Sequence, residues 1–221
     1  MARVLHNNGL TITLLVLFAL ALVGQTLAGE RVYNADQREH GQPTVTFGTY
    51  LLTGHFIEAV FENWESEFLQ MALYVLLTAY LFQKGSAESK DPDGYDPVDD
   101  DPRLAQSRPD APWAVRRGGA VLKLYENSLA LALLLLFVIS FTLHVAGGAR
   151  VYNEDQLAHG GQTVSALGYL ATAQLWFESF QNWQSEFLSI AAVVVLSIFL
   201  RQKGSPESKP VAAPHSATGD N

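Results

Sequence analysis

The chain has 221 residues, of which 48% are hydrophobic, and its 14 lysines and arginines against 22 acidic residues give a formal net charge of −8. Cysteine is absent, which excludes disulfides, thiolate catalysis and cysteine-based zinc sites. The acidic balance argues against nucleic acid as a partner, because surfaces that bind nucleic acid are basic.

The first predicted element is a run of nineteen uncharged residues, 10–28. At about 1.5 Å per residue, this run can cross a hydrocarbon layer of about 30 Å as a helix. Arg3 before it and Thr26-Leu27-Ala28 at its end also resemble a secretory signal peptide. A matching run at 128–148 is internal and cannot be a signal, so a transmembrane helix is favoured.

The segment after this run predicts a short separate helix. Asn34 and Gln37 have the spacing of a capping box, and Gly41 suits the left-handed position that ends a helix. A second apolar crossing follows at about 64–83. Its apolar centre, 68–82, has only fifteen residues and spans the membrane if the turn around Trp64 is also helical.

Residues 91–112 form an acidic linker rich in aspartate and proline, which predicts disorder because such a segment cannot bury apolar surface. Its start resembles a calcium loop, but Asp96 and Pro102 occupy the positions where that motif needs glycine and glutamate. The next residues predict a segment that contacts anionic lipid headgroups at the cytoplasmic face, through Trp113, Arg116, Arg117 and Lys123.

The rest of the chain repeats its beginning. Residues 8–90 align with 127–209 at a constant offset of 119, without a gap, and 38 of the 83 pairs are identical. This predicts two membrane hairpins, 1–90 and 113–209, the second with crossings at about 128–147 and 183–201. The polar tail, 210–221, is predicted to be disordered.

The positive charges predict the orientation of the hairpins. Only Arg31, Arg38 and Arg150 lie in the loops within each hairpin, and the other eleven lysines and arginines flank the hairpins. The positive-inside rule then places both termini and the linker in the cytoplasm. The predicted fold is an all-α membrane protein with four transmembrane helices, arranged as two parallel tandem hairpins with a pseudo-two-fold axis along the membrane normal.

Two glutamates are candidates for function because a carboxylate at the edge of hydrocarbon is costly. Glu67 and Glu186 stand directly before apolar runs. One interpretation is a structural ion pair with Arg31 and Arg150, which end the first crossing of each hairpin. A proton or cation site and simple exposure to headgroups are the alternatives.

Two Asp–His pairs are candidates for a metal site. Asp36 with His40, and Asp155 with His159, are each four residues apart and therefore share a helix face. A pseudo-two-fold axis could bring the four side chains together around a divalent ion. The alternative is a hydrogen bond within each pair.

Other chemistry finds less support. Haem would need two ligands in the membrane, and His144 is the one histidine in a crossing, with Gln25 at the equivalent position. A quinone-binding site near these two residues is an alternative. No hydrolase, zinc-protease or phosphate-loop motif is present, so we expect neither an enzyme nor a cofactor.

The doubled motifs Asn-Trp-x-Ser-Glu-Phe-Leu and Gln-Lys-Gly-Ser-x-Glu-Ser-Lys resemble an uncharacterised bacterial family of four-helix integral membrane proteins, a domain of unknown function. The resemblance covers nearly the whole chain except the linker and implies topology and bacterial origin only. We expect a non-enzymatic protein of the bacterial inner membrane, with a structural or interaction role and as a possible homo- or hetero-oligomer. A small transporter or channel that uses Glu67 and Glu186, and a metal- or quinone-binding redox protein, are the alternatives.

Overall fold

The computed structural model describes residues 2–219, which contain helices and turns but no β-strand, so the predicted all-α class is confirmed. The helices in chain order are α1 (Ala2–Glu39), α2 (Phe47–Tyr50), α3 (Gly54–Tyr80), α4 (Trp113–Arg117), α5 (Gly119–Glu126), α6 (Ser128–Ala158), α7 (Ala166–Tyr169) and α8 (Ala173–Phe199).

The helix bounds follow the spacing of the aligned sequence segments. The short helix α7 begins and ends 119 residues after α2, and α8 does the same relative to α3. A break near the start of α1 also has an equivalent. Asn8 has non-helical angles, φ −128° and ψ 19°, inside α1, and Asn127 has φ −112° and ψ 7° between α5 and α6. Each asparagine donates its side-chain amide to the carbonyl four residues earlier.

Three helices within residues 2–219 are long and apolar enough to cross a membrane, namely α6, α8 and α1 from Arg3 onward. The side chains of Leu10 and Leu20 in α1 are 75% and 64% exposed, which suits contact with lipid. The fourth predicted crossing, α3, is not among the three. Its first half contains four glutamates, which lower its hydropathy below that of α8.

The helices contribute to two compact units. The first unit contains residues 2–61 and Leu143–Leu175. Its most completely buried large side chains are Tyr50, Tyr169, Leu175 and His144. Tyrosine hydroxyl and imidazole groups in such a core need polar partners, and the hydroxyl of Tyr50 has one in His55 of α3.

The second unit contains Glu62–Thr142 and residues 176–219. Its buried residues include Ala72 and Leu122 together with nine polar side chains, namely Glu65, Ser66, Gln70, Ser86, Ser89, Ser140, Ser179, Ser197 and Lys209. Buried polar groups cost free energy unless they are hydrogen-bonded.

The linker and the tail also have defined turns. Two short 3-10 helices, Pro97–Asp99 and Pro102–Ala105, begin after Asp96 and Asp101, whose side chains accept hydrogen bonds from the backbone two residues later. The predicted disorder of 91–112 in solution stays a prediction. Residues 210–219 lie within the second unit, whereas positions 220–221 of the predicted disordered tail lie outside the described residues.

Candidate functional site

Asn34 connects the end of α1 to the loop that follows it. Its side-chain oxygen accepts from the backbone nitrogen of Val45 at 2.7 Å, and its amide donates to the carbonyl of the same residue at 3.0 Å. Asn153 makes the same two bonds with Val164, at 2.8 and 2.9 Å. The predicted capping box at Asn34 is therefore wrong, because α1 runs through this residue to Glu39 and the side chain holds the loop instead.

A glycine ends each of these long helices. Gly41 and Gly160 have φ of +67° and +72°, the left-handed conformation predicted for Gly41. The backbone nitrogen of Gln42 donates to the carbonyl of Gln37 at 2.7 Å, which closes the last turn in the manner of a Schellman motif. The turn brings the loop back beside the helix end.

The loop then places a tyrosine against a glycine of the preceding helix. An added Cβ on Gly148 would lie 2.7 Å from Cε1 of Tyr169, and the hydroxyl of Tyr50 lies similarly against Gly29. Both tyrosines are buried. The small residue at each helix position therefore makes room for the ring that anchors the loop.

These elements surround a cavity of about 720 Å³ in the first unit, which we call the Asp–His chamber. Its wall is formed by Tyr33, Asp36, Gln37, His40, Gln42, His55, Val151, Glu154, Asp155, Leu157, Ala158 and His159. All four residues that the repeat singled out as candidate metal ligands thus line one cavity. The metal itself stays a prediction.

The imidazoles of His40 and His159 have the same tautomer constraint. Nδ1 of His40 lies 3.0 Å from the backbone carbonyl of Asp36, and Nδ1 of His159 lies 2.9 Å from that of Asp155. A carbonyl oxygen can only accept, so Nδ1 must carry a proton. In the neutral ring, Nε2 is then the atom with the lone pair. The aspartate carboxylates lie 3.3 and 3.2 Å from the same Nδ1 atoms.

His55 adds a third imidazole to the chamber wall. Its Nδ1 lies 3.1 Å from the hydroxyl of Tyr50, and the two rings pack 5.8 Å apart. Burial lowers the pKa of His55, and the nearby carboxylate of Asp36 opposes that effect. Burial, with a smaller contribution from Glu30, raises the pKa of Tyr50. These effects favour a neutral imidazole beside a protonated phenol.

The chamber therefore combines three imidazoles with three carboxylates, those of Asp36, Glu154 and Asp155. Such a wall can bind a cation or exchange protons with solvent. Sequence reasoning missed His55 and Glu154, because the equivalent positions hold Gln174 and Ala35 and comparison of the two segments gives no signal.

The other predicted site residues lie in different surroundings. Glu67 is exposed and Glu186 is partly buried, and both belong to the second unit. Arg31 and Arg150 are exposed and belong to the first unit. The proposed Arg–Glu pairs stay predictions.

The buried carboxylate in this region is Glu65, two residues before Glu67. The hydroxyl of Ser179 donates to Glu65 Oε1 at 2.8 Å, and both side chains have no exposed surface. Sequence patterns favour Glu67, which recurs as Glu186, whereas Glu65 is replaced by Gln184 in the second segment.

Glu65 belongs to a series of polar contacts between α3 and α8 in the second unit, which we call the polar seam. Asn182 donates to Glu62 Oε1 at 2.6 Å. Gln70 donates to the hydroxyl of Ser189 at 2.9 Å and to the carbonyl of Glu186 at 2.8 Å. Gln70 and Ser189 are equivalent positions of the two sequence segments. The seam joins residues 62–70 of α3 to residues 179–189 of α8 through side-chain hydrogen bonds.

His144, the histidine considered as a haem ligand, is completely buried in the first unit. One of its ring nitrogens lies within 4.8 Å of a carboxylate oxygen of Glu58. Gly147 brings the helices this close, because a Cβ there would lie 2.6 Å from the backbone nitrogen of Glu58. Gln25, the equivalent of His144, donates to the carbonyl of Ala59 at 3.0 Å. Both positions therefore contact the first part of α3.

A second buried charge lies where the tail joins the second unit. Lys209 is 1% exposed, and its ammonium group donates to backbone carbonyls of Gly85, His215 and Ala217, the last two at 3.0 and 2.8 Å. Burial lowers its pKa. Thr218 accepts from the backbone nitrogen of Gly85 at 2.9 Å. This group holds the tail in place.

Comparison with known proteins identifies the family of the chain. No curated protein and no solved structure matches the chain. The family described as a domain of unknown function, DUF6766, matches residues 1–220, so the chain belongs to that family.

Proposed function

We propose that this protein is a non-enzymatic, multi-pass membrane protein with a structural or interaction role. The observation that carries the proposal is that polar residues at equivalent positions of the two segments make structural hydrogen bonds. Asn34 and Asn153 hold loops, and Gln70 and Ser189 join α3 to α8. Side chains that serve in this way stabilise a scaffold, and three long apolar helices provide the membrane contact.

In this proposal α3 is the fourth crossing. It has the same length as α8, and its carboxylates have partners in the polar seam, for example Ser179 and Asn182. A helix with such internal pairing can enter a bilayer that its hydropathy alone would disfavour. The two hairpins then lie parallel about a pseudo-two-fold axis along the membrane normal. The charge distribution supports cytoplasmic termini in a bacterial inner membrane.

Cysteine labelling tests this topology directly, because the natural chain contains no cysteine. Single substitutions at exposed positions, Gln42→Cys, Gln162→Cys and Asp93→Cys, would be treated in intact cells with a membrane-impermeant maleimide. We expect labelling of positions 42 and 162, and labelling of position 93 only after permeabilisation. Labelling of positions 42 and 162 from opposite sides would overturn the parallel arrangement.

A proton or cation pathway is the second candidate, because one observation favours it. Glu65 is a completely buried carboxylate in a helix proposed to lie in the membrane. In proteoliposomes, a flux that disappears in Glu65→Gln and persists in Glu67→Gln would support transport through the polar seam. A flux that disappears only in the double substitution of Glu67 and Glu186 would favour the pair predicted from sequence. If vesicles with the wild-type protein show no flux, transport is excluded and the structural role is retained.

A further inference from the structure

We infer that the Asp–His chamber binds a divalent transition-metal ion of the zinc class, through the imidazoles of His40, His55 and His159. The inference goes beyond the membrane role proposed above, and it does not depend on which side of the membrane the chamber faces. The three histidines come from the end of α1, the start of α3 and the end of α6 and line one cavity.

The first argument is the state of the rings. Nδ1 of each histidine already has a partner, namely the carbonyl of Asp36, the hydroxyl of Tyr50 and the carbonyl of Asp155. Metal-binding histidines have this arrangement: one nitrogen is held by a carbonyl, carboxylate or similar group, and the other carries the lone pair. At His40 and His159 the carbonyl fixes Nε2 as the ligand atom.

The second argument concerns the aspartates. Each carboxylate lies within 3.3 Å of the Nδ1 atom of its own histidine, so Asp36 and Asp155 orient the rings and increase their basicity. This differs from the expectation that all four side chains bind the ion directly. The third ligand becomes His55, which lines the same cavity and whose Nδ1 lies 3.1 Å from the hydroxyl of Tyr50.

The third argument is the choice of ion. Three imidazoles with a water or a carboxylate complete the tetrahedral coordination that zinc adopts in proteins. Imidazole donors favour zinc, nickel and copper over magnesium and calcium, which prefer oxygen ligands. Glu154 in the same wall can neutralise part of the ionic charge.

Binding requires the wall to close around the ion. In the described residues, these three imidazoles do not form a group with ligand atoms within 4.8 Å of one another. The Nδ1 contacts of His40 and His159 are made to carbonyls only four residues earlier, so these exposed segments can move toward the ion without losing the contacts. His55, which is partly buried at the start of α3, is the third ligand.

Calorimetric titration of zinc into the purified full-length protein in detergent, after treatment with a chelator, tests the inference. We expect one zinc ion per chain and at least about a tenfold loss of affinity in His40→Ala, His55→Ala and His159→Ala. His6→Ala is the matched control, because His6 is exposed and does not line the chamber. Asp36→Asn should weaken binding about tenfold while the backbone hydrogen bond of His40 remains.

Cobalt gives an independent readout that does not need a variant. A cobalt ion held by imidazoles in tetrahedral geometry produces intense visible bands, which zinc should abolish by competition. Circular dichroism identifies any variant that has lost its helices, and replacement by glutamine then substitutes for alanine. Absence of zinc binding in the wild type, or equal affinity of His6→Ala and His40→Ala, would overturn the metal site. The topology experiment is unaffected by either result.

Discussion

Two turns of nearly identical sequence differ in what surrounds their last lysine. Residues 83–90 and 202–209 share seven of eight residues. Gly85 and Gly204 have φ of +89° and +84°, and Ser89 and Ser208 accept from the backbone six residues earlier at 2.8 and 2.9 Å. The local sequence therefore determines the turn in both places.

The lysines that end these turns have different partners. Lys90 donates to the carbonyl of Ala79 at 3.1 Å and pairs with Asp99, which is itself mostly exposed. Lys209 is buried among carbonyls of the tail and of Gly85. A motif thus sets its own backbone, whereas the chain that follows it sets the environment of its last side chain.

Removal of the buried lysine should have the largest effect on stability. We expect Lys209→Ala to lower the free energy of unfolding by about 3 kcal/mol, because several carbonyls lose a charged donor in a buried site. The matched change Lys90→Ala should cost no more than about 1 kcal/mol, since its ion pair is partly exposed. Denaturation in mixed micelles measures both. Equal losses would mean that the two lysines are equivalent despite their different surroundings.

A second difference between the copies concerns a close helix contact. Gly147 corresponds to Ala28 in the first copy. Position 28 therefore accommodates a methyl group, whereas Gly147 packs against the backbone of Glu58. We expect Gly147→Ala to destabilise the protein by about 2 kcal/mol, because its Cβ would meet the backbone of Glu58 and force a shift.

Gly24→Ala is the control for this change. No atom lies within 4 Å of the added Cβ, and alanine is favoured over glycine inside a helix by about 1 kcal/mol. The same micelle assay should therefore find Gly24→Ala neutral or stabilising. A neutral Gly147→Ala would show that α6 and α3 can separate without cost.

The sequence predicts most of the helices because their signals are local or repeated. Long apolar runs indicate α1, α6 and α8, and the left-handed glycine at Gly41 follows from helix-ending rules. The role of Asn34 could not be predicted, because its partner, Val45, lies eleven residues away. A local capping pattern competes there with a tertiary contact, and the contact prevails.

The candidate site was predictable only where the two copies agree. The repeat indicates Asp36, His40, Asp155 and His159, whereas His55 has no matching residue and becomes visible only when the loop folds back beside α1. Glu65 is similar, since its burial depends on Ser179 of another helix. Side chains whose surroundings come from distant segments leave no periodic signal.

The two loop asparagines test how alike the copies are. Asn34→Ala and Asn153→Ala should each cost about 1–2 kcal/mol, because each loses two hydrogen bonds to the backbone of its loop. The loss at Asn34 should be the larger by about 1 kcal/mol, because Asn34 also donates to the carboxylate of Glu30, and the second copy has Ala149 at that position. A larger loss at Asn153 in the unfolding assay would mean that other residues of the neighbouring segments, rather than these bonds, determine loop stability.

The smallest expected effect is a pH dependence at His55. Burial holds the pKa of His55 in the folded protein below the ordinary value of 6.5. When the pH falls below about 6.5, the unfolded chain therefore binds more protons than the folded protein does. Folding stability should therefore be constant above about pH 6.5 and decrease on acidification down to the folded pKa. The second copy has Gln174 at this position, so His55→Gln imitates it and should remove this part of the decrease. Melting temperatures of the two proteins across mildly acidic pH measure the difference. An unchanged slope in His55→Gln would assign the acid sensitivity to other groups and remove the argument that burial keeps this imidazole neutral.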